Sequence, residues 1–245
     1  MQIIPIPVLS DNFSYLLLDS GRALVIDPGA AAPVLAALQQ AGAKLEGILL
    51  THHHRDHTGG CAGLRAQTRC AIAGPAECAA CGLDRTVGEG DAVTLGTVTC
   101  RVLATPGHTR GHVAYVCDAA PAVWTGDTLF AGGCGRILEG TAAEMWRSLL
   151  RLRELPPGTR VHSGHDYTCD NLEFAAGILP HDAAIAARWT EVRAGPASGS
   201  SSVAVERATN IFLRADTEPV RVALDLRGAD PVTVFAELRR RKDAW

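Results

Sequence analysis

Gly47-Ile-Leu-Leu50 reads as a short buried strand, and it runs without a break into Thr51-His-His-His-Arg-Asp-His57. A strand that empties into clustered imidazoles and a carboxylate needs a fold that keeps a loop at the carboxyl end of a sheet, where ligand sites gather in layered α/β architectures. The preceding residues supply such a sheet. Ile3 to Val8, Ser14 to Asp19 and Ala23 to Asp27 are short apolar, β-branched runs, the last closing on Asp27-Pro-Gly29, a turn signal. From Pro33 the period becomes helical and stops near Gly42, so the strand at Gly47 completes a β-α-β unit with chemistry at its end.

The middle of the chain is strand-rich: Thr97 to Leu103, His112 to Cys117 and Ala122 to Trp124 each precede small or turn residues. A capping box at Thr141-Ala-Ala-Glu144 predicts a helix to about Leu155, which Pro156-Pro-Gly158 ends. Thr159 to Ser163 is a further strand, again followed by a histidine segment. Beyond it the pattern turns helical: Asn171 to Ile178, Asp182 to Val192, a Gly/Pro/Ser loop at Gly195 to Ser202, Glu218 to Leu226, and a last helix with Asp230 as N-cap and Pro231 at its first position. The expected organisation is a domain over residues 1–170 and a smaller helical segment over 171–245, with no internal repeat.

Composition excludes several classes. The 245 residues carry a net charge of -3, which provides no basic field for nucleic acid. No stretch approaches the ~18 uninterrupted apolar residues of a membrane span. Met1 to Pro5 lacks the basic and apolar regions of a secretory signal, so the chain is expected in the cytoplasm with its eight cysteines mostly reduced. Cys78-Ala-Ala-Cys81 has no second pair spaced for zinc and reads as packing.

Three further segments join the histidine run. Thr105-Pro-Gly-His108-Thr-Arg-Gly-His112, Gly126-Asp127-Thr128 and Ser163-Gly-His165 each set a ligand-competent side chain beside glycine, directly after a predicted strand. His52, His54, Asp56, His57, His108, Asp127 and His165 are too many donors for one tetrahedral ion. They suit two divalent ions sharing a bridging carboxylate, and their nitrogen and oxygen ligands accept zinc, iron or manganese, zinc being the first expectation.

The pattern HxHxDH, followed by a distant His, Asp and His, resembles the metallo-β-lactamase superfamily. The resemblance implies an α+β fold, a four-layer αββα sandwich with the metal site at one edge of its sheets. It also implies that His52, His54 and His108 hold one metal, that Asp56, His57 and His165 hold the other, and that Asp127 bridges. Two such cations lower the pKa of a shared water from about 15.7 towards neutrality, so a bridging hydroxide is expected as nucleophile, oriented by Asp56.

Leu9-Ser-Asp-Asn-Phe13, Gly132-Gly-Cys-Gly-Arg136, Glu139-Gly-Thr141, Gly164-His-Asp-Tyr-Thr168, Asn171, Asn210-Ile-Phe-Leu-Arg214 and Arg239-Arg-Arg-Lys-Asp243 are similar to one branch, the glyoxalase II or hydroxyacylglutathione hydrolase family. Membership implies hydrolysis of S-(2-hydroxyacyl)glutathione, with Arg136, Tyr167, Arg239 and Lys242 holding glutathione. Charge-assisted bonds from Arg and Lys suit its two carboxylates. For Arg240 and Arg241, complementing the dipole of the last helix is the preferred reading. Leu138 occupies a substrate-facing position where the family often has an aromatic residue, and Cys61, Asp166 and Ile211 replace a usual Asn, Glu and Pro. A thiolate, with free-thiol pKa about 8.5, leaves without a dedicated general acid. The chain is expected to act as a monomer on this small molecule. Competing expectations are a mononuclear iron dioxygenase acting on glutathione persulfide, a β-lactamase, which commonly has Cys where this chain has Asp127, and a non-catalytic metal-binding module.

Overall fold

The computed structural model describes residues 1–195 and 200–245. The chain divides into two compact units: A, residues 1–104 with 111–126, and B, residues 105–110 with 127–245.

Unit A begins with β1 (Gln2–Val8), β2 (Asn12–Asp19), β3 (Arg22–Ile26), α1 (Ala31–Ala41) and β4 (Lys44–Leu49). It continues through one helical turn, α2 (Arg55–Thr58), then α3 (Cys61–Thr68), β5 (Ala71–Gly74), a 3-10 turn at Ala76–Cys81 and β6 (Arg85–Thr86). These strands form one sheet in chain order, antiparallel from β1 to β3 and parallel from β3 to β6. β7 (Ala92–Leu95), β8 (Val98–Ala104), β9 (Val113–Cys117) and β10 (Ala122–Gly126) form an antiparallel meander.

Strand periodicity builds the layers. Leu17, Leu24, Ile26 and Leu49 join Val102, Tyr115 and Trp124 in a core between sheet and meander. Their neighbours Leu16, Ala23, Val25, Ile48 and Leu50 point to the other face and pack against Val34 and Leu38 of α1 and Leu64 of α3. The alternation is what a pleated strand covered on both faces requires.

The eight cysteines are free thiols. Cys61 and Cys78 lie in the helix-side core, where burial pushes their thiols well above the ordinary value and leaves them poor nucleophiles.

Unit B contains the small hairpin β11 (Leu129–Phe130) and β12 (Gly133–Cys134), α4 (Ala142–Arg153), β13 (Arg160–Ser163), α5 (Thr168–Ile178) and α6 (Ala183–Ala194). β14 (Ser200–Ser202), α7 (Val203–Thr209), a 3-10 turn at Ile211–Arg214, α8 (Glu218–Ala223) and α9 (Pro231–Asp243) follow. The capping box of α4 forms as expected, with Glu144 N donating to Thr141 Oγ1 and Thr141 N donating to the Glu144 carboxylate. Asp230 caps α9 by accepting from Val232 N and Thr233 N.

One expectation needs correction. The loop placed at residues 195–202 contains a strand, since Ser200–Ser202 pairs antiparallel with Arg160–His162; residues 196–199 lie outside the described residues. Three serines carry no apolar alternation, so their pairing leaves no trace in the sequence. Among the described residues no helix is long and apolar enough to cross a membrane.

His162 of β13 is buried, its Nδ1 2.9 Å from Ser200 Oγ, and burial, aided by Arg160, pushes its imidazole down to about 4. The unfolded chain, with an ordinary His near pKa 6.5, binds this proton more readily than the folded one. Stability is therefore lost as pH falls from about 6.5 towards 4, by about 2 kcal/mol at pH 5 relative to pH 7. Urea midpoints for wild type and His162→Gln at both pH values check this. The variant should lose less stability on acidification, and identical losses would refute the assignment.

Candidate metal centre

In unit A the donors are set by the exit from β4 and by α2. His54 is the extended residue at the N-terminus of α2, so Asp56 and His57 are carried on one helical turn rather than on irregular loop. The junction is anchored from the meander: Tyr115 Oη donates to Leu50 O at 2.7 Å and Val113 N donates to Thr51 O at 2.9 Å.

Behind the histidines lies Asp27, buried at the end of β3 with φ +50°. This left-handed conformation costs an L-residue about 1 kcal/mol or more and is tolerated best by Asn and Asp. Asp27 Oδ1 accepts from Thr51 N at 2.8 Å, and Oδ2 accepts from Thr51 Oγ1 at 2.6 Å and faces His57 Nδ1 at 3.0 Å. The carboxylate thus assigns the His57 proton to Nδ1 and leaves Nε2 to coordinate. Because its hydroxyl hydrogen goes to Asp27, Thr51 Oγ1 accepts from His52 Nδ1 at 3.0 Å, leaving His52 Nε2 as a lone pair. That atom faces His54 Nδ1 at 3.1 Å. Asp56 Oδ2 lies 3.5 Å from His57 Nε2 and accepts from Asn12 Nδ2 at 2.9 Å. Asp27 comes within ligand range of His52 and His57. With its oxygens committed to Thr51 and His57, its role is to orient them.

The loops fit by backbone contact. A Cβ on Gly29 would lie 2.2 Å from Asp56 O, and one on Gly60 would lie 2.6 Å from Pro28 O. Glycine is required at both positions to let the turn after β3 touch the ligand segment.

In unit B, His108 Nε2 and His165 Nε2 each lie 3.5 Å from the same oxygen, Asp127 Oδ2. His108 Nδ1 donates to Arg136 O at 2.8 Å, which again frees Nε2. His165 Nδ1 is 3.2 Å from Tyr167 Oη, and the two rings stack with centroids 5.1 Å apart and planes 10° from parallel. Two imidazole nitrogens converging on one carboxylate oxygen, with both far nitrogens engaged, form a donor set suited to a divalent cation.

Of the residues expected to hold substrate, Arg136, Leu138 and Tyr167 are open to solvent, Leu138 being 58% and Tyr167 37% exposed. Arg239 is buried: it donates to Cys134 O at 2.9 Å, pairs with Asp243 at 2.9 Å and lies over the Phe212 ring. Lys242 pairs with Asp170 and lies against Phe174. Arg240 and Arg241 both pair with Glu237, whose carboxyl they hold down at about 2.

Residue-level reading missed Asp27, Thr51 and Asn12 as supports. Asp27-Pro-Gly29 at a strand end was the available signal, a turn in which an acid rather than a glycine takes positive φ.

The family described as Metallo-beta-lactamase superfamily matches residues 9–80 and 82–165, and that described as Hydroxyacylglutathione hydrolase C-terminus matches residues 166–245. A curated relative from Rhodospirillum rubrum, named hydroxyacylglutathione hydrolase, is 48% identical over 251 aligned positions that cover 99% of this chain and 98% of the relative. The chain belongs to the hydroxyacylglutathione hydrolase family. Its metallo-β-lactamase fold is shared with solved structures. ETHE1 from Myxococcus xanthus has a TM-score of 0.69 at 27% identity, covering 100% of this chain and 99% of that one. TTHA1623, solved in a di-iron-bound form, has a TM-score of 0.64 at 29% identity, covering 86% and 100%. For a hydroxyacylglutathione hydrolase family member, the imidazole and carboxylate donors described above are the expected equipment of a metal-dependent hydrolase, and this chain is an enzyme of that kind.

Proposed function

We propose that this chain hydrolyses S-(2-hydroxyacyl)glutathione, with S-lactoylglutathione as the representative substrate, to glutathione and a 2-hydroxy acid such as lactate. One observation carries the reading beyond family membership: the exposed ring of Tyr167 stacks directly on His165, so a recognition surface adjoins the metal donors.

His52, His54 and His108 would hold one divalent ion and Asp56, His57 and His165 a second, with Asp127 shared. Zinc is the proposed metal, with iron or manganese accepted by the same donors. Such a pair, when bound, supplies an acidified water and polarises the thioester carbonyl. The side chains do the rest. Asp27 and the Arg136 carbonyl keep the His57 and His108 protons on Nδ1, and Asn12 steadies Asp56, which orients the attacking oxygen. Arg136, Leu138 and Tyr167 offer the open surface for the glutathione moiety, while Arg239 and Lys242, assigned to it by the family resemblance, would have to exchange their contacts with Asp243 and Asp170 to reach it. The C–S bond breaks as the acyl carbon gains oxygen, and the thiolate leaves carrying the electron pair, a departure easier than that of an amide nitrogen. We place the reaction in the cytoplasm, a setting supported by eight free thiols, and in a monomer.

The test is thiol release from S-lactoylglutathione by the metal-loaded protein. Oxygen uptake with glutathione persulfide, one iron per chain and no thiol release would overturn the reading in favour of a dioxygenase. Leu138→Tyr is expected to lower KM about threefold, because an exposed aromatic adds contact area at little entropic cost; an unchanged or higher KM would remove Leu138 from the substrate surface.

A further inference from the structure

Segments distant in sequence meet in unit B at the carboxylate of Glu206, which is fully buried. One oxygen accepts from Arg188 Nη2 and Ser201 Oγ, both at 2.6 Å; the other accepts from Asn210 Nδ2 at 2.8 Å and Gly132 N at 2.9 Å. Asn210 Nδ2 also donates to Gly133 O at 2.9 Å and Phe130 O at 3.3 Å, while Asn171 Nδ2 donates to Ala131 O at 3.1 Å. The turn joining β11 to β12 is therefore gripped at residue after residue by side chains from the helical part of the unit. It has no room to slip: Gly132 has φ +73°, and a Cβ on Gly133 would lie 2.4 Å from the Asn171 amide. Burying an ion pair carries a desolvation cost that a hydrophobic replacement avoids, and removing one partner leaves the other's charge uncompensated, so the groups around Glu206 hold their places together.

What the hairpin presents is Phe130. Its ring is 4% exposed and meets two rings edge-on: His165 at 5.9 Å and Tyr167 at 5.4 Å between centroids. Those two rings stack on one another. Phe130 is thus the wall against which the Tyr167–His165 stack rests, and the Glu206 network fixes where the wall stands.

We infer that Glu206 is a positioning residue for substrate binding, acting through the β11–β12 hairpin and Phe130 to set Tyr167. The inference rests on the proposed contact between Tyr167 and the glutathione moiety. Glu206→Gln keeps the side-chain volume but cannot accept from both pairs of donors, so the turn is released while its residues remain. Phe130→Leu leaves the network intact and removes only the ring that transmits it, so it carries the test if Glu206→Gln fails to fold.

Steady-state kinetics with S-lactoylglutathione and metal content per chain are measured for Glu206→Gln, Phe130→Leu, Tyr167→Ala and the two doubles with Tyr167→Ala. Each of the first two is expected to raise KM about fivefold with kcat within about twofold and metal content unchanged, and Tyr167→Ala about tenfold. Each double should match Tyr167→Ala alone, because residues acting through one contact are not additive. A raised KM for Tyr167→Ala with multiplying doubles, about fiftyfold, overturns the positioning role alone. Loss of kcat and metal at unchanged KM also overturns it, since that is what a merely structural residue would give. Tyr167→Ala at wild-type KM overturns the substrate contact itself, and this inference with it.

Discussion

Asp127→Ala is expected to lose bound metal and at least about a thousandfold in kcat/KM, the scale of removing charge stabilisation that water cannot replace. The reason is the position of one oxygen, Asp127 Oδ2, which lies 3.5 Å from both His108 Nε2 and His165 Nε2. With alanine there, two imidazoles face each other without an anion between them, and a dication loses the charge that offsets its desolvation. Neither histidine loses its far-side partner, because those bonds run to Arg136 O and to Tyr167 Oη. The chelator-treated variant should therefore unfold at the same urea concentration as chelator-treated wild type, within experimental error. Metal analysis after dialysis is the decisive measurement. Wild-type metal content with full activity would refute the proposed metal-holding role of Asp127, whereas a shared loss of metal, activity and apo-protein stability would reassign it to folding.

Asp27→Ala should be nearly as damaging and by a different route. It leaves Thr51 N, Thr51 Oγ1 and His57 Nδ1 without their acceptor inside a buried site. Each abandoned donor costs about 1–3 kcal/mol, so the metal-free protein should lose about 3–5 kcal/mol of stability. Metal affinity should fall about 10- to 100-fold, since His57 and His52 lose the contacts that hold the nitrogens proposed as ligands in place. Asp27→Asn separates the contributions. Asn tolerates the φ of +50° as well as Asp does, so its backbone cost is unchanged, but its amide offers one acceptor where the carboxylate offers two. Its losses should fall between wild type and alanine. Chelator-buffered zinc titrations and urea unfolding of the apo protein read the two effects separately. Wild-type affinity in Asp27→Ala would show that the histidines orient themselves.

These two acids differ in how visible they were. Asp127 stood out because it follows a strand, sits beside Gly126 and completes a pattern with His108 and His165. Asp27 was masked by its role in a turn signal, and its partners Thr51 and His57 are 24 and 30 positions away, a relation fixed by the parallel pairing of β3 with β4 rather than by local spacing. The same contrast holds for the fold. β1 to β4 were legible as short apolar, β-branched runs bounded by turn signals, and α4 from its capping box. α2 is one turn of polar residues, α3 opens on Cys-Ala-Gly, and β5 is Ala-Ile-Ala-Gly, so none of them has enough apolar periodicity to register before the sheet and core exist around them. Arg239 illustrates a third limit. The resemblance assigns it to glutathione, but no local pattern foretells that the guanidinium lies buried against Phe212 and bonded to Cys134 O, 105 positions away.

The glycines where the turn after β3 meets the ligand segment bear on how this enzyme can diversify. Side chains at Gly29 and Gly60 would collide with Asp56 O and Pro28 O at 2.2 and 2.6 Å, obstacles made of backbone that cannot turn aside. Random libraries directed at these positions should yield almost no folded, metal-competent clones. Arg136 and Leu138 project into solvent, the Arg136 guanidinium reaching only Asp243 among the described residues, at 4.0 Å. Laboratory evolution towards other thiol carriers therefore has its productive search space on that segment, while Gly29 and Gly60 are expected to stay fixed.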